Sequence, residues 1–191
     1  MARRDLSEAV VKKGQIGLLF FLASEVMFFA GLFSAYWVLR AQTGVWPPIG
    51  QPRLPIGITG ANTAILLLSA VTIWRADIVQ KKGCYICLVG WLALTGLGGA
   101  VFLGIQGYEW LRLIRFGLST THSIYAGTFY LIVGAHGLHL LAALIVLSAV
   151  LLRAARHRYE APSATGVSLC RTYWTFVVAL WPVIYVALYL L

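Results

Sequence analysis

The sequence predicts an all-α fold: a polytopic transmembrane bundle of five spanning helices, N-terminus cytoplasmic and C-terminus external. Three observations predict it. Of 191 residues, 60% are hydrophobic and only 11% charged, and the mean hydropathy is +0.84. A soluble domain of this length presents far more polar surface. Five apolar runs each approach or exceed the roughly 20 residues needed to cross a hydrocarbon core. Lys and Arg collect between those runs, so the net charge of +9 is a topology signal and not a nucleic-acid footprint.

The elements follow in order, as a single domain over residues 1–191. The first helix is expected over 15–39, after the basic stretch MARRDLSEAVVKKGQ. Its apolar run is too long for a signal-peptide core and no small-residue cleavage site follows, so it is expected to stay uncleaved. The second is expected over 57–74, after WPPIGQPRLPIG, whose prolines keep it from being helical throughout. The third is expected over 85–108, the fourth over 123–152 and the fifth over 172–191. No internal repeat or low-complexity tract interrupts them. Orientation follows from the loops. Arg3, Arg4, Lys12, Lys13, Arg75, Lys81, Lys82, Arg153, Arg156, Arg158 and Arg171 fall on one side, and only Arg40, Arg53, Arg112 and Arg115 on the other. The richer side is cytoplasmic by the positive-inside rule. Trp46, Tyr108 and Trp110 then suit the outer interface and Trp74 the inner one.

Ionisable groups inside these spans are the candidate functional residues. Glu25 lies in FFLASEVMFFAGLFSAYWVL, and His136 and His139 in VGAHGLHLLAAL. A charge at membrane depth costs roughly 2.5–3.5 kcal/mol on insertion scales, so each must find a partner, a proton or a task. On helical rise, Glu25 sits roughly 15 Å from the cytoplasmic start of its helix and His139 roughly 20 Å. Glu25 can therefore meet either histidine if the two helices pack. Spacing of three residues places His136 and His139 on one face, and likewise Gln106 and Glu109 at the outer end of the third helix. A carboxylate–imidazole pair in a proton-related role and a static interhelical hydrogen bond both fit. Two histidines on one face cannot bracket a haem iron, and Glu25 with both would make a two-His-one-carboxylate set with no evident further ligands.

Three cysteines are present. Cys84, Cys87 and Cys170 read as small apolar residues at helix ends on the cytoplasmic, reducing side. A four-ligand zinc site there would need His157 as well. Small residues, among them Ala23, Ser24, Ala30 and Gly31 on the first helix and Gly96, Gly99 and Gly104 on the third, predict close helix packing.

An ordered set of segments carries a resemblance across nearly the whole chain. They are SEVMFFAGLFSAYW, WPP, LPIGITGANTAILLLSAVTIW with Asn62 and Thr63, GIQGYEW with Gln106 and Glu109, YAGTFYLIVGAHGLHLLAALIVL with His136 and His139, and YWTFVVALWPVIYVALYL. Together they resemble cytochrome c oxidase subunit III, of the haem–copper oxidase superfamily. The usual subunit has seven helices, and this chain resembles the last five, as in five-helix bacterial forms. The family's lipid-filled cleft is then absent or remade. Thr175 and Val178 stand where the family has His and Asp, and Pro182 enters a segment usually unbroken, which puts a polar network on the last helix in doubt.

The resemblance implies an auxiliary subunit without redox cofactors or catalytic residues of its own, in a bacterial cytoplasmic membrane. Haem and copper would sit in partner subunits I and II, of which subunit I is the main contact. Phospholipid binding, assembly and support of proton uptake are the implied tasks, within oxygen reduction coupled to proton pumping. Glu25 matches the family's carbodiimide-reactive carboxyl, and is expected to be protonated or hydrogen-bonded to His136 or His139. A homologue serving a quinol oxidase or nitric-oxide reductase is the alternative reading. An independent proton-coupled transporter is the distant one, against which no inverted repeat is seen.

Overall fold

The computed structural model describes residues 2–43, 46, 55–116, 124–156 and 165–191, with side chains in the first helix described from Lys13 onward. Most of WPPIGQPRLPIG, and His157 with Arg158, lie outside the described residues. The described chain is all-helical: α1 (Ala2–Gln42), α2 (Ile56–Lys81), α3 (Tyr85–Arg115), α4 (Ile124–Ala155) and α5 (Thr165–Tyr185), which runs on into a π-helical turn (Val186–Leu190). Five segments are long and apolar enough to cross a membrane: Lys13–Gln42, Ile56–Lys81, Tyr85–Arg115, Ile124–Ala155 and Gly166–Leu190.

Most helices overrun their predicted ends, because polar residues continue a helix past the hydrocarbon. The largest correction is at α1, which starts at Ala2 and not at 15; α2 and α3 each extend seven residues past their expected ends, to Lys81 and Arg115, and α5 starts at Thr165 and not at 172. The α2–α3 turn shows how the chain reverses. Gly83 adopts φ +77°, a left-handed conformation costly for any residue with a Cβ. The N–H groups of Gly83 and Cys84 then return to the carbonyls of Gln80 and Val79, satisfying the end of α2.

Helices α2, α3, α4 and α5 close a ring in which each packs on the next and α5 returns to α2. Its interior holds Leu66, Ile73, Leu92, Phe102, Ile132, Leu140, Trp174 and Trp181, all essentially removed from the surface. Close approach depends on two glycines of α3. A Cβ at Gly99 would lie 2.5 Å from the Trp174 ring, and one at Gly98 would lie 3.1 Å from Ser69. Gly104, expected to be a contact, has nothing within 4 Å of that position.

Helix α1 stands outside the ring, mainly against α4 and α5. Its inward stripe is narrow: Leu22, Phe29 and Tyr36, seven residues apart, are buried, with Glu25 between them at partial burial. That spacing is the a/d seam of a helix gripped along one line. Leu32 and Phe33 are half-buried against the core beside that stripe, and most other described side chains of α1 are exposed, including Phe20 and Met27 at 75% each. Ala23, Ser24, Ala30 and Gly31, expected at helix contacts, also face outward.

Candidate functional site

The seam of α1 places Glu25 against α4. Its Oε2 lies 2.8 Å from His139 Nε2, with 16% of the Glu25 side chain and 19% of the His139 side chain exposed. Phe29 stands edge-on to the imidazole at 5.4 Å, and Phe28 flanks it. Tyr173 of α5 donates its hydroxyl to the His139 backbone carbonyl at 3.4 Å. The pair thus sits where α1, α4 and α5 converge.

Its protonation follows from geometry. His139 Nδ1 lies 2.7 Å from the Ala135 carbonyl oxygen, which can only accept, so Nδ1 carries a hydrogen. Nε2 then meets Glu25 with a single proton between them. Either a carboxylic acid donates to neutral imidazole, or imidazolium donates to carboxylate. Both states are neutral as a pair. A bare carboxylate facing an Nε2 lone pair at 2.8 Å would be repulsive. This answers the problem a carboxyl group poses at membrane depth: the unit carries no net charge for the hydrocarbon to reject.

The two histidines do not act together, which corrects the one-face expectation. Three residues advance a helix by about 300°, leaving the side chains about 60° apart. At the edge of an interface that separates them between two neighbours. His136 is fully buried inside the ring, 5.0 Å from the Trp181 ring centroid and edge-on to Phe102 at 6.4 Å. Neither of its ring nitrogens has a hydrogen-bond partner among the described residues. It lines a cavity of about 370 Å³ between α3 and α4, with Phe102, Gln106, Trp110 and Gly137. Gln106 and Glu109 are both buried, as their shared face implies, and the Gln106 amide donates to the Tyr189 hydroxyl at 3.3 Å.

Sequence reasoning missed Asp77. It lies beyond the expected end of the second helix at 74, yet α2 continues past it and it is 2% exposed. Its Oδ2 receives Arg171 Nη1 at 2.8 Å and Lys81 Nζ at 2.9 Å. Arg171 in turn lies over the Trp74 ring at 4.8 Å. The available signal was Lys81 four residues after Asp77, a helical ion-pair spacing. The cysteine reading is also corrected. Cys84 and Cys87 are joined by a disulfide, their Cα atoms 5.4 Å apart. Cys84 is the extended residue preceding α3 and Cys87 lies in its first turn, a spacing that bridges without unwinding the helix. With both sulfurs bonded to each other and Cys170 buried, the four-ligand zinc set is not assembled. Among the described residues no three His, Cys, Asp or Glu side chains converge as a metal site.

Residues 4–191 match the family model described as cytochrome c oxidase subunit III. The chain belongs to that family. Cytochrome c oxidase subunit 3 of Thermostichus vulcanus is 38% identical over 177 residues, covering 92% of this chain and 86% of that protein. The probable cytochrome c oxidase subunit 3 of Nocardia farcinica is 36% identical over 176 residues, 91% of this chain and 86% of its own length. That of Synechocystis is 34% identical, covering 92% and 74%.

The family's departures on the last helix read differently in the fold. Thr175 accepts a hydrogen bond from Trp74 Nε1 at 3.2 Å, and Val178 is packed in the core. Polar contacts are not lost from α5. Trp174 donates to Ser69 at 3.1 Å, Trp181 to Thr63 at 2.8 Å and Tyr185 to the Ile56 carbonyl at 3.0 Å. Asn62, beside Thr63, donates to the Phe102 carbonyl at 3.1 Å. Pro182 sits inside α5 near its end, where its missing N–H leaves the Val178 carbonyl without its usual donor. The following π turn still brings Ala187, Leu188 and Tyr189 inward.

Proposed function

We propose that this chain is the auxiliary, cofactor-free membrane subunit of a haem–copper cytochrome c oxidase. The observation that carries the reading is the match to the subunit III family over residues 4–191. Haem and copper belong to partner subunits I and II, where oxygen is reduced and protons are pumped. This chain packs on subunit I as one five-helix domain of a bacterial cytoplasmic membrane and holds phospholipid. Its N-terminus faces the cytoplasm and its C-terminus the outside, on the loop distribution of Lys and Arg.

Within that role the Glu25–His139 pair clamps α1 to the ring and supports proton uptake by subunit I without conducting the protons itself. Supporting this reading, the imidazole is engaged at both nitrogens, Nε2 by Glu25 and Nδ1 by the Ala135 backbone carbonyl, and a backbone carbonyl is a poor proton relay. The outer-end pair Gln106 and Glu109 and the buried His136 are structural in this reading.

The test is purification from native membranes in mild detergent, with partner identification and a haem spectrum. Co-purification with a haem–copper subunit I that oxidises reduced cytochrome c is expected. Recovery with a nitric-oxide reductase or a quinol-specific oxidase would overturn the reading. For Glu25, oxygen uptake and proton release are followed together. Glu25→Gln is expected to assemble and retain most oxygen consumption. Complete loss of oxygen reduction in the assembled complex would place Glu25 on an essential proton path.

A further inference from the structure

The Cys84–Cys87 disulfide sits in a place where it holds little together. The bond closes a loop with a sequence separation of 3, so it removes less chain entropy than a long-range bridge. The helices it adjoins are already fastened. The turn is closed by backbone hydrogen bonds through Gly83, Thr72 and Thr95 share a hydrogen bond of 2.7 Å, and Asn62 reaches the Phe102 carbonyl. Gly98 lies against Ser69. A structural staple is redundant there.

Its surroundings suit reactivity instead. Cys84 is the N-cap residue of α3 with extended backbone, and Cys87 is the third helical residue. Amide N–H groups at a helix N-terminus, with the positive end of the dipole, stabilise a thiolate. Lys81 and Lys82 precede the pair and are exposed. Cys87 is exposed beside Ile86 at 85%, whereas Cys84 is partly covered. An attacking thiol therefore has access to one sulfur, and the leaving sulfur sits at the helix end that stabilises it. Cys170 is buried and takes no part.

We propose that Cys84 and Cys87 form a thiol–disulfide exchange site whose co-reactants are low-molecular-weight cellular thiols. A thiolate attacks Cys87 Sγ, forming a mixed disulfide as the Cys84–Cys87 bond breaks. Cys84 departs as a thiolate and takes up a proton. A second thiolate attacks the small-molecule sulfur of the mixed disulfide and releases Cys87 as thiolate, which is then protonated. The protein disulfide gains two electrons and two protons, and two small thiols become one small disulfide. The inference rests on the topology proposed above only for which compartment supplies the thiol.

The experiment uses the assembled complex in sealed membrane vesicles of both orientations. Vesicles are equilibrated in buffers of glutathione and its disulfide, quenched in acid and labelled with a mass-tagged maleimide, in a Cys170→Ser background. The expected result is a two-tag shift whose fraction titrates with the ratio of thiol squared to disulfide. Cys84→Ser and Cys87→Ser should each abolish the two-tag species. A pair that stays untagged at the highest thiol concentration, yet is tagged after denaturation in reductant, would overturn the proposal by being a closed bridge. A pair tagged in every buffer would overturn it by forming no bridge. Glutathione added outside should reach the site only in vesicles that expose the cytoplasmic face. Reaction only from the opposite face would uphold the exchange site and overturn the topology.

Discussion

Glu25 and His139 illustrate how two groups unsuited to hydrocarbon become acceptable together. The imidazole's other nitrogen is tied to the Ala135 carbonyl, so one shared proton keeps the pair neutral. Removing one member strands the other. Glu25→Leu leaves Nε2 without a partner and is expected to cost about 1–3 kcal/mol. Glu25→Gln keeps a donor and should cost less. Replacing both, Glu25→Leu with His139→Leu, should recover most of the loss, since no polar group is then left stranded. Thermal inactivation of the four purified complexes checks this, and a double variant as unstable as the sum of the singles would refute the pairing. Asp77 makes the same point nearer the membrane boundary. Asp77→Ala removes the carboxylate partner of the partly exposed Arg171 and one of several polar links between α2 and α5. A loss of about 1–3 kcal/mol is expected, below the value for a fully buried pair because solvent reaches both cations. Denaturant titration of the complex reads it.

The elements are joined by small residues more than by hydrophobicity, because lipid tails are as apolar as leucine. Gly99 lets the Trp174 ring lie against α3, and the indole then reaches Ser69 on α2. One glycine thereby serves contacts among three helices. Gly99→Ala forces a Cβ to 2.5 Å from that ring. It is expected to destabilise by about 1–3 kcal/mol and to loosen the Trp174–Ser69 hydrogen bond. Gly104→Ala, with open space at its Cβ position, should be neutral or mildly stabilising through helix propensity. Tryptophan fluorescence and thermal inactivation separate the two. Equal effects would mean that glycine content, and not this packing, matters.

At the scale of the molecule, a closed ring of four helices carries a fifth on its outside. Only 11% of the α1 spanning window is buried, against 44% for α5. Beyond the seam, α1 is fastened at its far end, where Tyr36 donates to the Ala187 carbonyl and Arg40 to the carbonyl of Leu191. Its outward face carries Ala23, Ser24, Ala30 and Gly31 among large apolar side chains. Such a helix is the part that depends most on what surrounds the chain. Hydrogen exchange in detergent should find α1 amides least protected when the chain is alone, and more protected in the oxidase complex, while α2–α5 change less. Uniform protection across all five helices of the isolated chain would contradict this.

Much of this was legible without coordinates. Apolar run length determines the number of spans, because a bilayer admits few other backbone solutions. Ordered segments such as SEVMFFAGLFSAYW and GAHGLH carried the family, and intramembrane Glu25 stood out as a candidate by its cost alone. Partner choice was not legible. His136 and His139 differ by about 60° around one helix, and only the placement of α1 outside the ring sends one to Glu25 and the other to Trp181. Asp77 was hidden because hydropathy marks where hydrocarbon ends and not where a helix ends. The bridging of Cys84 and Cys87 depended on the left-handed turn at Gly83 and the extended backbone at Cys84. Sequence thus determined which groups enter the membrane, since transfer cost is a property of each residue. Tertiary structure decided which of them meet, since that depends on how rigid helices are rotated and stacked.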